Sequence, residues 1–524
     1  MGDAASETAR GGTRFGAAAL LLGASVLLSR VLGYAREAVL AYQVGAGPEA
    51  DAYRAGFQIP DLLNYFLAGG ALSVAFVPLY TRARARGRPE AERLLATVLG
   101  TIGALSILGT ALLWWQAEAL VALQFPRFDE PTRALTVHVT RIVLPAQIFF
   151  LTGGIVRAVL MAEGRFGAQA AAPLLYNGCV IAGGLLLAPR LGVEGFAWGA
   201  LAGAFLGNFL LGWVDVLRHV RLRVRVAPFD PDFRHYLVVA APLMFGVTLL
   251  VVDEWYERWF GGLLAPGTVA QLGYARQLML VPVAIVGQAL AAAALPFMAR
   301  LWSEGRRLEL DALVLRTLRV GVSIAVVAAG VLFALAEPVV AVVYQRGRFS
   351  AEDTLAVAGL LAILTLACPA WVAQQIASRA FYARGDTWRP MLLSTAVALG
   401  MIPAYLALGG RAGAAGIAAA GVLGIGLNAV GLLLLARRLH GAPPLGPLAS
   451  TLGRALAITV VAATLASRID LGRPGLSGAV LELAIAGGAF VALVGLGVVL
   501  AGDEPMREGA QRVLRRLRRR RRPA

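Results

Sequence analysis

The sequence predicts an all-α, polytopic integral membrane protein with about fourteen transmembrane helices. Hydrophobic residues make up 58% of the 524 residues and charged residues only 15%, which leaves too little polar surface for a soluble protein. The mean hydropathy is +0.71. Apolar runs recur along the whole chain. Leu94–Trp115, for example, contains no charged residue and is long enough to cross a bilayer at about 1.5 Å of rise per residue.

The predicted spans follow one another with short connections. Span one begins near Phe15 and continues into Ser29–Gly33 without a small-residue cleavage site, so we expect a retained helix rather than a signal peptide. In chain order, the spans are predicted at 15–41, 50–80, 94–116, 134–161, 169–188, 193–217, 235–260, 267–299, 312–344, 353–383, 388–409, 412–436, 448–468 and 477–501.

The distribution of arginine predicts the orientation. The net charge of +17 involves no lysine, because all 48 basic residues are arginine. They collect in alternate short loops such as 82–93 and 218–225, as expected for the cytoplasmic loops of a bacterial membrane protein. We therefore expect both termini in the cytoplasm, a multi-pass protein of the inner membrane, and no nucleic-acid partner. We also expect the arginine-rich tail Arg515–Arg522 on the cytoplasmic side. It either fixes the topology or binds anionic lipid heads.

A shared spacing in spans two and eight indicates an internal repeat. Arg54 precedes Pro60 by six positions, and Arg276 precedes Pro282 by the same number. Transporters are often built from two such halves. The sequence therefore predicts a six-helix N-lobe at 1–225 and a six-helix C-lobe at 226–440. Two further helices follow at 441–505, and a basic cytoplasmic tail occupies 506–524.

Charged residues inside predicted spans indicate the functional site, because a charge at bilayer depth costs about 2.5–3.5 kcal/mol and usually faces a watery cavity or a partner. Arginine suits phosphate groups through paired, charge-assisted hydrogen bonds. The candidate substrate-binding residues are Arg30, Arg36, Asp51, Arg54 and Arg276. The charges of span seven are candidates for structural pairing or for coupling: Asp253, Glu254, Glu257 and Arg258.

Other kinds of chemistry have little support in the sequence. Cys179 and Cys368 lie far apart in apolar helices and suggest neither a disulfide nor a zinc site, so we expect no metal and no cofactor. An embedded glycosyltransferase or polymerase would need a sizeable aqueous loop. The longest connections, near 81–93, 117–133 and 218–234, have only roughly fifteen residues each. We therefore predict a transporter rather than an enzyme.

Several motifs together resemble the MurJ (MviN) family. They are collinear with that family from about residue 15 to 440, and the first of them is specific. The matching segments are Ser29–Glu37, Ala50–Tyr53, Pro60–Leu63, Gly70–Pro78, Tyr344–Phe349, Glu352–Thr354 and Arg379–Thr387.

Membership would imply the fold of the MOP exporter superfamily, with two lobes forming a V and two C-terminal helices forming a groove for a lipid tail. It would also imply translocation of lipid II, the undecaprenyl-pyrophosphate-linked precursor of peptidoglycan, by alternating access. Arg30, Arg36 and Asp51 match charged positions of the family. Membrane lipids, the lipid-linked glycan and proteins of cell-wall synthesis are the implied partners, and a monomer is expected.

Some positions depart from the family pattern and keep the cargo open. Asn64 and Tyr65 replace a basic pair, Gly69 replaces a glutamate, and Gln277 stands where the family has an arginine. Arg276 does not simply replace that group, because a shift by one residue turns a helical side chain by about 100°. The alternatives are a flippase for another polyprenyl-linked saccharide, a MATE-like exporter of small molecules, and a scaffold that has lost transport.

Overall fold

A computed structural model of the chain describes residues 2–68, 71–220, 223–245, 249–441, 443–469, 471–472 and 475–508. Every regular element within these residues is a helix, which confirms the predicted all-α class. Contacts between residues divide the chain into two compact units, Met1–Gly246 and Val247–Ala524, which we call unit 1 and unit 2.

Unit 1 contains thirteen helices within its described residues, and a π-helical segment, Ala204–Leu210, joins the eleventh to the twelfth. In order they are α1 (Gly2–Val44), α2 (Pro48–Gly56), α3 (Gln58–Ala68), α4 (Ala71–Arg86), α5 (Arg88–Trp115), α6 (Ala117–Gln124), α7 (Glu130–Val143), α8 (Ala146–Ala162), α9 (Gly167–Leu186), α10 (Ala188–Leu191), α11 (Glu194–Gly203), α12 (Leu211–Leu217) and α13 (Pro231–Phe245).

Unit 2 contains ten helices within its described residues, with a second π-helical segment, Val283–Gln288, after the second of them. In order they are α14 (Leu249–Gly261), α15 (Thr268–Pro282), α16 (Ala289–Ser303), α17 (Arg307–Ala334), α18 (Ala336–Tyr344), α19 (Ala351–Thr365), α20 (Cys368–Ala383), α21 (Trp388–His440), α22 (Leu445–Ala466) and α23 (Gly475–Ala501).

The boundary between the units lies later than the predicted lobe boundary at 225/226. Helix α13 packs against α4 and α5 and therefore belongs to unit 1. The predicted N-lobe, C-lobe and two-helix C-terminal region stay a prediction. The basic tail, Arg515–Arg522, lies outside the described residues.

The chain is a polytopic membrane protein. Nine helices among the described residues are long and apolar enough to cross a membrane, and the bent pair α19–α20 makes a tenth if it is one span. Helix α21 has 53 residues and covers two predicted spans, 388–409 and 412–436. Gly413 breaks it, because its φ of 57° and ψ of −136° are not helical.

Three predicted spans lie outside both these nine helices and the bent pair α19–α20. The span at 15–41 lies in α1, which carries Arg30, Arg36 and Glu37 and is therefore less apolar than the others. The spans at 50–80 and 235–260 are divided into shorter helices and include residues outside the described part of the chain. The figure of about fourteen spans stays a prediction.

Helix breaks coincide with prolines inside predicted spans. Pro145 lies between α7 and α8, and Pro282 ends α15 where the π-helical segment begins. Helices α19 and α20 meet at 43°, close to Pro369. Proline lacks the backbone N–H and its ring clashes with the preceding turn, so the helix bends or ends there.

In unit 1, glycines allow α11 to approach α9 closely. A Cβ atom on Gly199 would lie 2.6 Å from a backbone oxygen of α9, and one on Gly203 would lie 2.9 Å from another. Small residues at a four-residue spacing are typical of tight helix packing in membranes. This contact fixes the position of α9, which carries Asn177.

In unit 2, an apolar cavity of about 370 Å³ lies between α17, α20 and α22. Helix α22 packs tightly on α17, since a Cβ atom on Gly330 would lie 2.1 Å from Thr459 Cγ2. The lining residues include Phe333, Leu366, Pro369, Leu456, Val460 and Ala463.

Candidate functional site

One cluster of charged side chains lies in unit 1, where α1, α2 and α9 meet. Glu37 binds two arginines at once, with Arg36 Nη2 2.9 Å from its Oε1 and Arg54 Nη2 2.6 Å from its Oε2. Arg36 Nη1 also donates to Asn177 Oδ1 at 3.4 Å. We call these four residues the unit 1 cluster. Among these four residues, two guanidinium groups bind one carboxylate.

The members of the unit 1 cluster differ in accessibility. The side chain of Glu37 is 5% exposed and that of Arg54 is 15% exposed, whereas that of Arg36 is 26% exposed. The carboxylate is therefore enclosed, and Arg36 is the cation that an incoming anion meets first. A guanidinium group carries five N–H donors, so the bonds to Glu37 and Asn177 leave donors on Arg36 for a phosphate.

Local structure places these side chains together. Gly45 adopts a left-handed φ of 78° just after α1, and Pro48 begins α2, so the chain reverses within a few residues. This turn brings Arg54 back to Glu37. On α9, the Asn177 amide nitrogen donates to Ser29 Oγ at 3.2 Å and to the Pro173 carbonyl at 3.0 Å, which points its oxygen toward Arg36.

The other predicted substrate-binding residues of unit 1 lie near this cluster in sequence. Asp51 is buried in the first turn of α2, where the helix dipole favours a negative charge. Arg30 is half-buried on α1. It precedes Arg36 by six residues and therefore points about 120° away around the helix axis. The structure brings Arg36 and Arg54 together and places Arg30 on another side of α1.

A second charged cluster lies in unit 2, where α14, α15 and α21 meet. Arg276 Nε lies 2.5 Å from Glu257 Oε2, and Arg276 Nη2 donates to Asp253 Oδ2. The Tyr405 hydroxyl donates to the other oxygen, Asp253 Oδ1. We call these four residues the unit 2 cluster. Here two carboxyl groups share one guanidinium group.

The unit 2 cluster is enclosed. The side chains of Arg276, Asp253 and Glu257 are 6%, 7% and 3% exposed. The sequence predicts Arg276 as an open, substrate-binding arginine, whereas the structure places it between two carboxylates, an arrangement typical of a structural ion pair. Next to it, Arg258 donates to Glu254 one helical turn away on α14.

The two clusters share one pattern, which matches the repeat in the sequence. In unit 1, Arg54 pairs with Glu37 of the preceding helix. In unit 2, Arg276 pairs with Glu257 of the preceding helix. In both units the arginine precedes a proline by six residues.

Sequence reasoning missed Asn177 and Tyr405 because neither is charged. The signal for Tyr405 is a polar hydroxyl within an apolar span, which needs a partner when it is buried. Gly421 offers a second signal, since a Cβ atom on it would lie 3.1 Å from Asp253 Oδ1 and 3.2 Å from the Tyr405 hydroxyl. The second half of α21 can approach the unit 2 cluster because it has glycine at this position.

Two arginines inside predicted spans were also missed. Arg157 donates to the Asn208 carbonyl at 2.6 Å, within the π-helical segment of unit 1, and to Gln169 at 3.1 Å. Arg319 of α17 donates to Asp503 at 2.9 Å, just after α23. Both lie toward the ends of long predicted spans, where an arginine is usually taken as a sign of a cytoplasmic loop rather than of a functional site.

The positions that depart from the family pattern have varied surroundings. The Asn64 amide nitrogen donates to Gln147 Oε1 at 2.7 Å, so a neutral amide stands at one of the two positions of the basic pair. Tyr65 and Gln277 are half-buried. Gly69 lies outside the described residues.

Comparison with protein families gives a consistent result. The family model described as lipid II flippase MurJ matches residues 40–472. The match begins after the Ser29–Glu37 motif. A probable lipid II flippase MurJ of Rhizobium meliloti is 30% identical over 426 residues, which cover 79% of each chain. The lipid II flippase MurJ of Burkholderia cenocepacia is 30% identical over 392 residues, which cover 72% of this chain and 75% of the relative.

Solved structures share the fold. A lipid II flippase MurJ in an inward closed conformation has a TM-score of 0.77 at 19% identity, covering 91% of this chain and 99% of its own. An inward-facing MATE-family multidrug resistance transporter of the MOP superfamily has a TM-score of 0.66 at 17% identity, covering 79% of this chain and 94% of its own. These likenesses show that the chain has the fold of MOP-type transporters.

Proposed function

We propose the function from one premise: the chain belongs to the MurJ family of lipid II flippases. It moves lipid II from the inner to the outer leaflet of the cytoplasmic membrane by alternating access and forms no covalent bond to it. The observation that carries this proposal is the unit 1 cluster, in which Arg36 and Arg54 share the single carboxylate of Glu37.

The unit 1 cluster suits a pyrophosphate. An anion that approaches Arg36 meets a guanidinium group in a region of low dielectric, where charge-assisted hydrogen bonds are strong. The planar guanidinium group binds phosphate oxygens in pairs, whereas a lysine would offer only a point charge. Arg36 and Arg54 are the primary headgroup ligands in this proposal. Arg30 and Asp51 shape the approach to them.

Arg276 has a different role in this proposal. Its guanidinium group is already held by Asp253 and Glu257, so it has little capacity for a phosphate. It joins α14 to α15 and so positions these helices within the C-lobe. Glu254 and Arg258 add a local pair on α14.

The lipid tail has a separate place. The apolar cavity of about 370 Å³ between α17, α20 and α22 matches the chemistry of an isoprenoid chain, because its lining is mostly hydrocarbon, with hydroxyl groups only from Thr459, Thr464 and Ser467. We assign the undecaprenyl tail to it. The predicted C-terminal region, 441–505, then acts as a lipid-tail groove through α22.

The orientation completes the proposal. Both termini are cytoplasmic, because the arginine-rich segments 82–93 and 218–225 are retained on that side of the inner membrane. The protein acts as a monomer, and its outer side delivers lipid II to proteins of cell-wall synthesis.

Complementation tests the headgroup site. Arg36→Ala removes charge-assisted hydrogen bonds of about 1.5–3 kcal/mol, so we expect flipping to fall about 10- to 100-fold. The measurement is growth of a strain depleted of its own lipid II flippase, together with exposure of lipid II to a reagent that cannot cross the membrane. Arg36→Lys should restore only part of the activity.

The matched control is Arg84→Ala. Arg84 also pairs with a glutamate in unit 1, Glu163 at 3.2 Å, but its side chain is 45% exposed and lies outside the unit 1 cluster. This variant should complement fully. Full complementation by Arg36→Ala, with normal insertion and normal exposure of lipid II, would refute the role of Arg36.

A second cargo class has one observation in its favour. Asn64 and Tyr65 stand where family members have basic residues, and Asn64 bonds to the neutral Gln147, which alters the polar contacts open to a saccharide. A flippase for another polyprenyl-linked saccharide would fail to complement. It would instead cause that saccharide lipid to accumulate in the inner leaflet when the protein is depleted from its own cell.

A further inference from the structure

One oxygen of a buried carboxylate in unit 2 has no hydrogen-bond partner among the described residues. Glu257 Oε2 accepts from Arg276 Nε at 2.5 Å, but Oε1 is buried and unpaired. The side chain is only 3% exposed. A buried, ionised carboxylate is strongly destabilised unless donors satisfy both oxygens.

In the neighbouring carboxylate, Asp253, each oxygen accepts a hydrogen bond. Asp253 accepts from Arg276 at one oxygen and from the Tyr405 hydroxyl at the other. Both oxygens of Asp253 are therefore satisfied. Arg276 supplies one positive charge for two carboxylates, so two ionised carboxylates would leave one negative charge uncompensated.

The remaining charges do not compensate for it. The titratable and charged groups that face Glu257 within the described residues are Arg276 from α15, Asp253 and Glu254 from α14, and Tyr405 from α21. Glu254 is held by Arg258 on its own helix. The position of a cation between the two carboxylates is already filled by the guanidinium group of Arg276.

We propose that Glu257 is a proton-binding site, with the proton on Oε1, and that the unit 2 cluster is neutral when this site is occupied. When two carboxylates share one buried site, the pair keeps one proton because both cannot ionise cheaply. The hydrogen bonds to Asp253 decide which of the two carries it. The ligand is a proton rather than a metal ion, since Arg276 already provides the cation.

Loss of this proton has a structural consequence. Deprotonated Glu257 attracts Arg276 more strongly and ties α14 more firmly to α15. The consequence for transport rests on the proposed function: lipid II flipping should depend on pH through Glu257, and Glu257→Gln should remove that dependence.

Infrared spectroscopy of the full-length protein in liposomes tests the site directly. We expect a protonated-carboxyl band at neutral pH that persists above the pH at which exposed carboxylates ionise. Glu257→Gln should abolish this band. Glu254→Gln, the matched control on the same helix, should leave it unchanged. A band that survives in Glu257→Gln, or no such band in the wild type, overturns the proposal.

A second variant covers the case in which Glu257→Gln does not insert. Tyr405→Phe removes the donor to Asp253 Oδ1 and so changes the hydrogen bonding of the unit 2 cluster, and the band should shift in frequency. An unchanged spectrum in this variant contradicts the assignment. The spectra are compared in buffers that contain either choline or Na⁺ as the main cation, at the same pH. The protonated-carboxyl band should be the same in both, and a band lost on addition of Na⁺ would identify a metal-cation site instead.

Flipping assays separate the two proposals. A pH-dependent rate in the wild type and a flat profile in Glu257→Gln support coupling through this proton. An intact band together with no flipping of lipid II at any pH would contradict the proposed function and leave the proton site standing. A pH profile identical in both proteins would refute the link to transport.

Discussion

Glu37 is the residue on which the unit 1 cluster depends, because each of its oxygens binds a different arginine. Its side chain is 5% exposed, and the two hydrogen bonds measure 2.9 and 2.6 Å. Removing one partner from a buried ion pair leaves the other charge uncompensated. In the proposed headgroup site, the same carboxylate would also limit the positive charge that an anion meets.

A substitution at Glu37 measures this effect. Glu37→Gln keeps the shape but removes the buried carboxylate that binds both Arg36 and Arg54, so we expect a loss of about 3–5 kcal/mol in the free energy of unfolding. Glu254→Gln is the control, because Glu254 pairs with Arg258 but its side chain is 45% exposed. It should lose about 1 kcal/mol or less. Thermal unfolding in nanodiscs, followed by tryptophan fluorescence, compares them. Equal losses of unfolding free energy in the two variants would show that burial does not determine how much Glu37 contributes to stability.

At the scale of elements, a polar contact joins α17, α22 and the chain after α23. Asp503 accepts hydrogen bonds from Arg319 at 2.9 Å and from Thr451, and its other oxygen accepts the Met506 N–H at 3.2 Å. We call these residues the C-terminal clasp. It fixes the last described helix to the helix that lines the apolar cavity.

The C-terminal clasp makes stability depend on pH. Burial alone would raise the pKa of Asp503, but the hydrogen bonds from Thr451 and Arg319 lower it below its ordinary value. Because the folded pKa is lower than the unfolded one, the stabilisation is complete above the unfolded pKa, about 3.9 for an aspartate. It is lost as the pH falls from there through the folded pKa.

The corresponding variant is Asp503→Asn. At neutral pH its unfolding temperature should lie below that of the wild type, and the difference should shrink as the pH falls below about 4. Glu504→Gln, at an exposed neighbouring position, should follow the wild type throughout. A constant difference between Asp503→Asn and the wild type at all pH values would mean that ionisation of Asp503 contributes nothing.

Elements also show where the sequence was sufficient. Long apolar spans such as 94–116 and 477–501 correspond closely to α5 and α23, because a helix in lipid must satisfy its backbone internally and hydropathy alone predicts it. The division of 50–80 into three helices was not predicted. Short helices around charged residues depend on tertiary partners such as Glu37, which periodicity cannot reveal.

At the scale of the whole molecule, charge predicted which residues would form sites but not how they would pair. The sequence predicts Arg36 and Arg54 as substrate-binding residues because they are charges at bilayer depth, and the structure brings them together. It predicts Arg276 for the same reason, but the structure encloses that side chain. The difference depends on how many carboxylates lie within reach. The packing of α14 against α15 and α21 sets the number of carboxylates near Arg276, and this packing cannot be deduced from a single sequence.

Orientation is a property of the whole molecule, and cysteine labelling tests it. In a background with Cys179→Ala and Cys368→Ala, a single cysteine replaces either Gly87, between α4 and α5, or Glu130, at the start of α7. The arginine-rich segment 82–93 predicts that Gly87 is cytoplasmic, and the intervening α5 then places Glu130 outside.

Intact cells treated with a membrane-impermeant maleimide should therefore label Glu130→Cys and not Gly87→Cys, whereas permeabilised cells should label both. The side chain of Glu130 is 74% exposed, so access to it is not limited by packing. The reverse labelling pattern would mean that the chain, with its Arg36–Glu37–Arg54 cluster, crosses the membrane in the opposite orientation. Inner-leaflet capture of a pyrophosphate lipid would then have to occur from the other end of α1, and the direction of the proposed transport would be wrong.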